Sequence, residues 1–259
     1  MKRILLTGAA GFIGFHVAKA FLSRGDAVVG VDNLNAYYDV ELKNARLQIL
    51  DEYPDFDFYR LDLAEREHTW ELIESQAWDA IVHLAAQVGV RYSVENPMAY
   101  VDSNLLGFMH MLDGAHRVQV AHFVYASSSS VYGANQKMPF SVHDNVDHPI
   151  SLYAATKRAN ELLAHSYSDI HGLPTTGLRF FTVYGPWGRP DMAVYKFARL
   201  IMAGEPIPVF NHGKMRRDFT YVDDVVQSIV RLTDRPPAVN AHWEPDSNDP
   251  SQSRAPFRT

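Results

Sequence analysis

Tyr153 and Lys157 stand four residues apart in Ser151-Leu152-Tyr153-Ala154-Ala155-Thr156-Lys157. On a helix that spacing points both side chains into the same space. A free phenol, with a pKa of roughly 10, is a poor base at neutral pH. An ammonium within about 4–6 Å favours the phenolate and brings it towards the working range. The pair therefore reads as a general base, with Lys157 lowering the pKa of Tyr153. Such pairs also occur on plain surface helices, so its meaning depends on what the fold gathers around it.

A second group of residues could hold a nucleotide. Gly8-Ala9-Ala10-Gly11-Phe12-Ile13-Gly14 spaces its glycines three and three, between the apolar run Ile4-Leu5-Leu6 and an amphipathic stretch from about Phe12 to Arg24. Glycine allows a tight turn and close approach, and a helix N-terminus offers free N–H groups to a pyrophosphate. A second apolar run, Ala27–Val31, ends at Asp32. Strand, glycine loop, helix, strand and terminal acid form a dinucleotide-binding βαβ unit. Asp32 can accept the ribose hydroxyls and would repel a 2′-phosphate, and no arginine follows at 33–36, which favours NAD over NADP.

Further strands are expected at 56–61, 80–84, 123–126 and 175–181, with helices at 64–75, 98–117 and 151–171. This alternation implies an α/β fold, a doubly wound parallel sheet of Rossmann type. Asp32, Asp62, Leu84, the serines 127–130 and Thr182 all fall at carboxyl ends of strands, where such sheets bind ligands. The expected division is a nucleotide-binding domain over 1–184 and a smaller, proline-interrupted substrate lobe over 185–259. Ala255–Thr259 reads as the approach to a strand that the chain does not reach, so the substrate lobe is expected to be shortened.

With 259 residues, 47% of them hydrophobic, the chain can bury a large core. The net charge of −6 and scattered basic residues argue against a nucleic-acid surface. The absence of cysteine excludes disulfides, thiolate metal sites and a cysteine nucleophile. No run of about 18 apolar residues occurs, so no membrane span is expected, and the default location is cytoplasmic. The chain has 12 histidines but no metal-ligand spacing such as H-E-x-x-H. His143, Asp144, Asp147 and His148 read as solvated loop residues and His83 as a packed strand residue.

The glycine motif, His83-Leu84-Ala85-Ala86, Asn104, the serine strand end and Tyr153-x-x-x-Lys157 together resemble an extended short-chain dehydrogenase/reductase. Within that superfamily the chain is similar to nucleotide-sugar 4-epimerases, and most to UDP-glucuronate 4-epimerases. The closer match rests on Asp32–Asp39, Gln87–Ser93, Ala126–Gly133 and Leu178–Met192. The resemblance implies that Gly8, Gly11, Phe12, Ile13 and Gly14 hold the NAD pyrophosphate. It places Asp32 and Asn33 at the adenosine ribose and Asp62 and Leu63 at the adenine. Leu84, Ala85 and Ala86 would line the nicotinamide half, with Asn104, Tyr153 and Lys157 in the cofactor set. Ser128 matches the catalytic Ser/Thr, Arg217 the diphosphate-binding arginine, and Val209 and Phe210 the uracil site; Val88 joins the substrate set. Members of this kind dimerise through the two long helices, here 98–117 and 151–171.

The implied reaction oxidises C4 of a UDP-sugar, turns the 4-keto sugar over, and returns the hydride to its other face. For a glucuronate, a C4 ketone lies β to the carboxylate and could lose CO₂, so the acid must be held out of that geometry. Ser127, Ser129, Arg91 and Arg189 are the candidate donors, arginine because it binds carboxylates bidentately. Relatives that dehydrate or decarboxylate carry an acid just after the catalytic Ser/Thr, whereas Ser129-Ser130 follow here. Thr182 stands where neutral-sugar epimerases usually place Asn, which favours the uronate. The alternatives are a UDP-glucose or other nucleotide-sugar 4-epimerase, and a non-catalytic NAD- and nucleotide-sugar-binding protein with a shortened lobe.

Overall fold

The computed structural model describes residues 1–209, 211–214, 216–244 and 249–259. The chain runs β1 (Arg3–Thr7), α1 (Phe12–Ser23), β2 (Ala27–Asp32), α2 (Val40–Leu50), β3 (Phe56–Arg60), α3 (Arg66–Glu74), β4 (Ala80–His83), α4 (Tyr92–Glu95) and α5 (Pro97–Tyr100). It continues through α6 (Gly107–Arg117), β5 (Phe123–Ser128), α7 (Leu152–His171), β6 (Thr175–Phe180), β7 (Thr182–Tyr184), α8 (Ala193–Met202), β8 (Phe219–Tyr221), α9 (Val222–Thr233) and β9 (Phe257–Arg258). Seven strands form one parallel sheet in the order β3-β2-β1-β4-β5-β6-β9, and β7 pairs with β8 in a separate parallel ribbon.

The strands are continuous apolar runs because both faces of the sheet are covered. Ile4 and Leu6 join a core built with α1, α2 and α9, while Leu5 faces the opposite core of α3, α6 and α7. The order reverses at β1, with β2 on one side and β4 on the other, so the loops after β1 and β4 diverge and open a crevice.

The helix expected over 98–117 forms without a break, though not uniformly: α5 runs through a π-helical turn over Val101–Leu106 directly into α6. Asn104, inside that turn, turns its amide to the loop after β4 and to Thr156, and widened turns of this kind mark such inserted contacts. The strand thought to be missing at the end of the chain is present, since Phe257 and Arg258 pair with Thr175 and Thr176. The part of the chain after 184 also returns to the main core, where α9 buries Val222, Val225, Val226 and Ile229 against α1.

α7 forms where expected. Ser151 caps it by accepting the Ala154 N–H at 3.1 Å, and Gly172, at a left-handed φ of 69°, ends it ahead of Pro174.

Candidate active site

One cleft runs over the carboxyl ends of the strands from Asp32 and Asp62 to Tyr153 and Arg189. Its floor is the junction of β1 and β4. Thr7 Oγ1 hydrogen-bonds His83 Nδ1 at 2.8 Å and accepts the Ala85 N–H at 3.2 Å, which ties the glycine loop to Leu84-Ala85-Ala86. Burial holds His83 neutral, with its pKa pushed down to about 3. Gly8 sits at φ 74°, and a Cβ there would come within 2.8 Å of the Ala85 nitrogen. A Cβ on Gly14 would strike the Gly8 carbonyl, so α1 could not approach its loop.

The N-terminus of α1 suits an anion. Gly11 supplies no side-chain cap and the first turn holds no acid, which leaves its N–H groups and the positive end of the helix dipole facing the cleft. Gly8, Gly11, Phe12, Ile13, Gly14, Asp32, Asn33, Asp62, Leu63, Leu84, Ala85, Ala86, Tyr153 and Lys157 all line this cleft, so the residues present fit a dinucleotide. Asp32 accepts the Leu34 N–H at 2.8 Å and Asp62 accepts from Asn33 at 3.0 Å, which fixes both acids at their strand ends. Asn104 is not in the lining. It is 1% exposed, and its amide holds the Gln87 N–H (2.8 Å) and carbonyl (3.0 Å), so it positions the loop after β4 from behind.

Ser128, Tyr153 and Lys157 converge at the other end. Ser128 donates to the Ser130 hydroxyl at 3.1 Å and stands close enough to the Tyr153 phenol to favour its ionised form. Lys157 Nζ, 1% exposed, donates to the Ala126 carbonyl at 2.8 Å, which keys α7 to the end of β5. The expected effect of Lys157 on Tyr153 is corrected here: burial pushes the phenol above its ordinary range, opposed by Ser128 and the Arg189 charge. Lys157 bonds a carbonyl, and burial lowers its own pKa to about 8. Arg189, which lines the same cleft, adds a positive charge that opposes the effect of burial on the phenol.

Behind the serines lies a carboxylate that sequence reasoning missed. Glu161 is fully buried and accepts Ser127 Oγ at 2.6 Å, Arg179 through both oxygens at 2.9 and 3.0 Å, and Arg158 at 3.2 Å. The proposed role of Ser127 as a carboxylate donor needs correction accordingly, because its hydroxyl proton is directed to Glu161. The position of Glu161, four residues after Lys157, was the available signal.

The loop 185–191 is pinned onto α1 and α2. Arg46, fully buried, donates to the carbonyls of Ala10 (2.8 Å) and Trp187 (2.6 Å) and to the Tyr38 hydroxyl (2.8 Å). Trp187 adopts a left-handed φ of 59°, a conformation that costs a side-chain-bearing residue about 1–2 kcal/mol. His16 bonds the Pro186 carbonyl at 2.9 Å. Arg189 enters the cleft from this loop, paired with Asp191, whose carboxylate also accepts Tyr37 at 3.3 Å. Lys43 is the other missed residue. It lines the cleft and meets Asp32 at 3.4 Å. Lys43 and Arg46 share the buried face of α2 with Leu47 and Leu50, and cations on an apolar stripe were the sign to follow.

Other expected substrate residues scatter. Val88 lines the cleft. Ser129 begins a 3₁₀ turn, and neither it nor Thr182 is in the lining, where Phe180, Phe181 and Val183 stand instead. Arg91 is exposed at the start of α4 and lies outside the lining. Val209 (60% exposed) and Arg217 are open to solvent, and none of the described residues between α8 and β8 joins either core cluster. Phe210 lies outside the described residues. His143 bonds Asp249 and Ser251 on the surface, and no group of three or more metal-ligating side chains occurs among the described residues.

A doubly wound parallel sheet with a glycine loop at its switch point and a Ser–Tyr–Lys group beyond it defines a nucleotide-dependent enzyme of the short-chain dehydrogenase type. The chain belongs to the NAD dependent epimerase/dehydratase family, whose pattern matches residues 4–243. It is 51% identical over 257 residues to a probable UDP-glucuronate 4-epimerase of Rhizobium meliloti (strain 1021), covering 99% of this chain and 75% of that one. It is 50% identical over 235 residues to UDP-glucuronate 4-epimerase 4 of Arabidopsis thaliana, covering 89% of this chain and 54% of the relative. Among solved structures, the Bacillus cereus UDP-glucuronic acid 4-epimerase in complex with UDP-glucuronic acid and NAD superposes with a TM-score of 0.81 at 33% identity. That superposition covers 95% of this chain and 74% of that one.

Proposed function

We propose that this chain is an NAD-dependent UDP-sugar isomerase that interconverts UDP-glucuronate and UDP-galacturonate at C4. The observation that carries the reading is the cleft that joins the glycine loop to Ser128, Tyr153 and Lys157, with Arg189 in the same lining. Oxidised NAD, when bound, accepts the C4 hydride and returns it, and its positive charge favours the phenolate. Tyr153 takes the proton of the 4-hydroxyl and gives it back after the 4-keto sugar has turned over. Ser128 holds the same oxygen and stabilises the charge that leaves the phenol. Lys157, anchored on the Ala126 carbonyl, holds its ammonium at the cofactor side of Tyr153.

The acid nearest the serine strand end is Glu161, and its oxygens are occupied by Ser127, Arg158 and Arg179. It is not free to move the protons of a dehydration, or to protonate the enolate that loss of CO₂ would leave. That supports retention of the uronate carboxylate, for which Arg189, held in reserve by Asp191, is the proposed partner. Arg217 and Val209 remain proposed contacts for the diphosphate and uracil. The reading includes a nucleotide-binding part over 1–184 with a substrate-binding part after it, and a cytoplasmic setting with the nucleotide sugars. It also includes a homodimer through α5–α6 and α7, whose outer faces expose Met98, Leu106, Leu162 and Ile170. No helix among the described residues is long and apolar enough to cross a membrane.

Incubation with UDP-glucuronate and NAD, followed by NMR, tests the activity. Formation of UDP-galacturonate without a UDP-pentose is expected; release of CO₂ with a UDP-pentose would overturn the reading. Analytical ultracentrifugation tests the dimer, and a monomer at micromolar concentration would remove it.

A further inference from the structure

Lys43 was invisible to a reading of the cofactor preference that stopped four residues beyond Asp32. α2 brings it back to the strand end, where Nζ lies 3.4 Å from Asp32 Oδ1 and 3.4 Å from Asn35 Oδ1. Lys43 is 4% exposed and Asp32 8%, yet both line the cleft. The Asp32 carboxylate takes the Leu34 N–H and Lys43 on the same oxygen, which leaves Oδ2 for a ribose hydroxyl. Arg46 adds a second cation nearby, and its bonds go to two carbonyls and a phenol rather than to an acid. Asp62, held by Asn33, is the second acid at this end. Two cations and two acids cancel, so the ribose end carries no net negative field that would exclude a phosphate.

We propose that the cleft contains a closed 2′-phosphate subsite at Lys43, which the single carboxylate of Asp32 keeps shut by occupying the ammonium. This rests on the cleft binding a nicotinamide dinucleotide. Discrimination against NADP is then a contact effect of one side chain. Remove the charge of Asp32 and Lys43 keeps Asn35 and the face of the Tyr38 ring, 5.2 Å away, but no carboxylate, beside the acid that would take the ribose. A buried ammonium deprived of its carboxylate is a ready phosphate partner, because the phosphate replaces the charge it lost.

Calorimetric titration of NAD and NADP into the purified chain tests this without turnover. The set is wild type, Asp32→Ser, Asp32→Asn, Lys43→Met and the double variant Asp32→Ser/Lys43→Met. Ser and Asn can both still accept the Leu34 N–H, and the two replacements differ in shape, so a folding defect in one leaves the other informative. Wild type is expected to prefer NAD by about 100-fold, and at least one Asp32 variant to gain about tenfold or more in NADP affinity, a gain that weakens with salt. The double variant is expected to lose that gain, and Lys43→Met alone to gain nothing for NADP. NAD binding by wild type with no NADP gain in either Asp32 variant would overturn the subsite alone, as would a gain that survives in the double variant. No NAD binding by wild type would overturn the reading of the cleft, and the subsite with it.

Discussion

The two ends of the cleft are built differently. At the cofactor end the loops are tied directly to the sheet: Thr7 bonds His83 and Ala85, Asn33 bonds Asp62, and the glycines seat α1 against the ends of β1 and β4. At the sugar end the groups come from loops. Arg189 leans on Asp191, the loop that carries it is held by Arg46 and His16, and Val209 and Arg217 stand in solvent. A site that needs backbone positions can be built from strand ends alone. A site that must read one particular sugar needs long side chains, and these come from segments whose placement depends on distant packing.

The contrast can be tested by removing one support at a time. The largest effect is expected from Tyr153→Phe, which removes the proton carrier but no packing. Turnover of UDP-glucuronate should fall by about 10³-fold or more while NAD affinity changes little, measured by NMR assay and calorimetry. Residual activity near wild type would mean another group moves the proton.

Next is Glu161→Ala, which strips Arg179 and Arg158 of their buried carboxylate behind the serines. Urea unfolding should show a loss of about 3–5 kcal/mol. The exposed pair Arg254–Asp169 should lose no more than about 0.5 kcal/mol in Arg254→Ala. Equal losses in the two variants would erase the distinction between a tied interior and a solvated rim.

Arg46→Met tests whether the two ends are coupled, since Arg46 bridges the glycine loop at Ala10 and the sugar loop at Trp187. NAD affinity and the KM for UDP-glucuronate should worsen together, each by about five- to tenfold. A change confined to one ligand would show that the ends are independent.

Lys157→Met should stabilise the protein without NAD by about 1–2 kcal/mol at pH 7, the cost of burying the ammonium less the bond to Ala126. The sign follows from a folded pKa of about 8 below the unfolded 10.5. Between these values the unfolded chain binds more protons, so wild-type stability rises with pH. The advantage of the variant should therefore shrink from pH 8 to 10.5 in thermal melts. The smallest effect is Arg217→Ala, expected to leave NAD affinity unchanged and stability within about 0.5 kcal/mol. Its only expected cost is a higher KM for UDP-glucuronate.

Much of this was legible in the chain. The glycine spacing, the apolar strand runs and the Ser151 cap of α7 are local signals, and the parallel sheet follows from their alternation. Helix 98–117 was legible as a helix, but its π-helical turn was not, because Asn104 within it reaches Gln87 and Thr156, partners on other elements. Ser127 was assigned to the sugar because alternation along a strand shows neither which neighbour lies behind it nor that Glu161 waits there. Arg91 and Arg189 looked alike as loop arginines, yet only Arg189 reaches the cleft lining.

By itself, then, the sequence determined the βαβ frame, the glycine loop followed by Asp32 at the next strand end, and the helix that carries Tyr153 and Lys157 one turn apart. These depend on spacing within one element or between neighbours in the chain, where covalent geometry leaves few options. Only the tertiary structure decided the electrostatics: that Lys157 bonds a carbonyl, that Arg189 shares the cleft with the phenol, that Lys43 pairs with Asp32, and that Glu161 lies under its arginines. Charges act through space, and which of them meet is settled by folding over distances that no local pattern records.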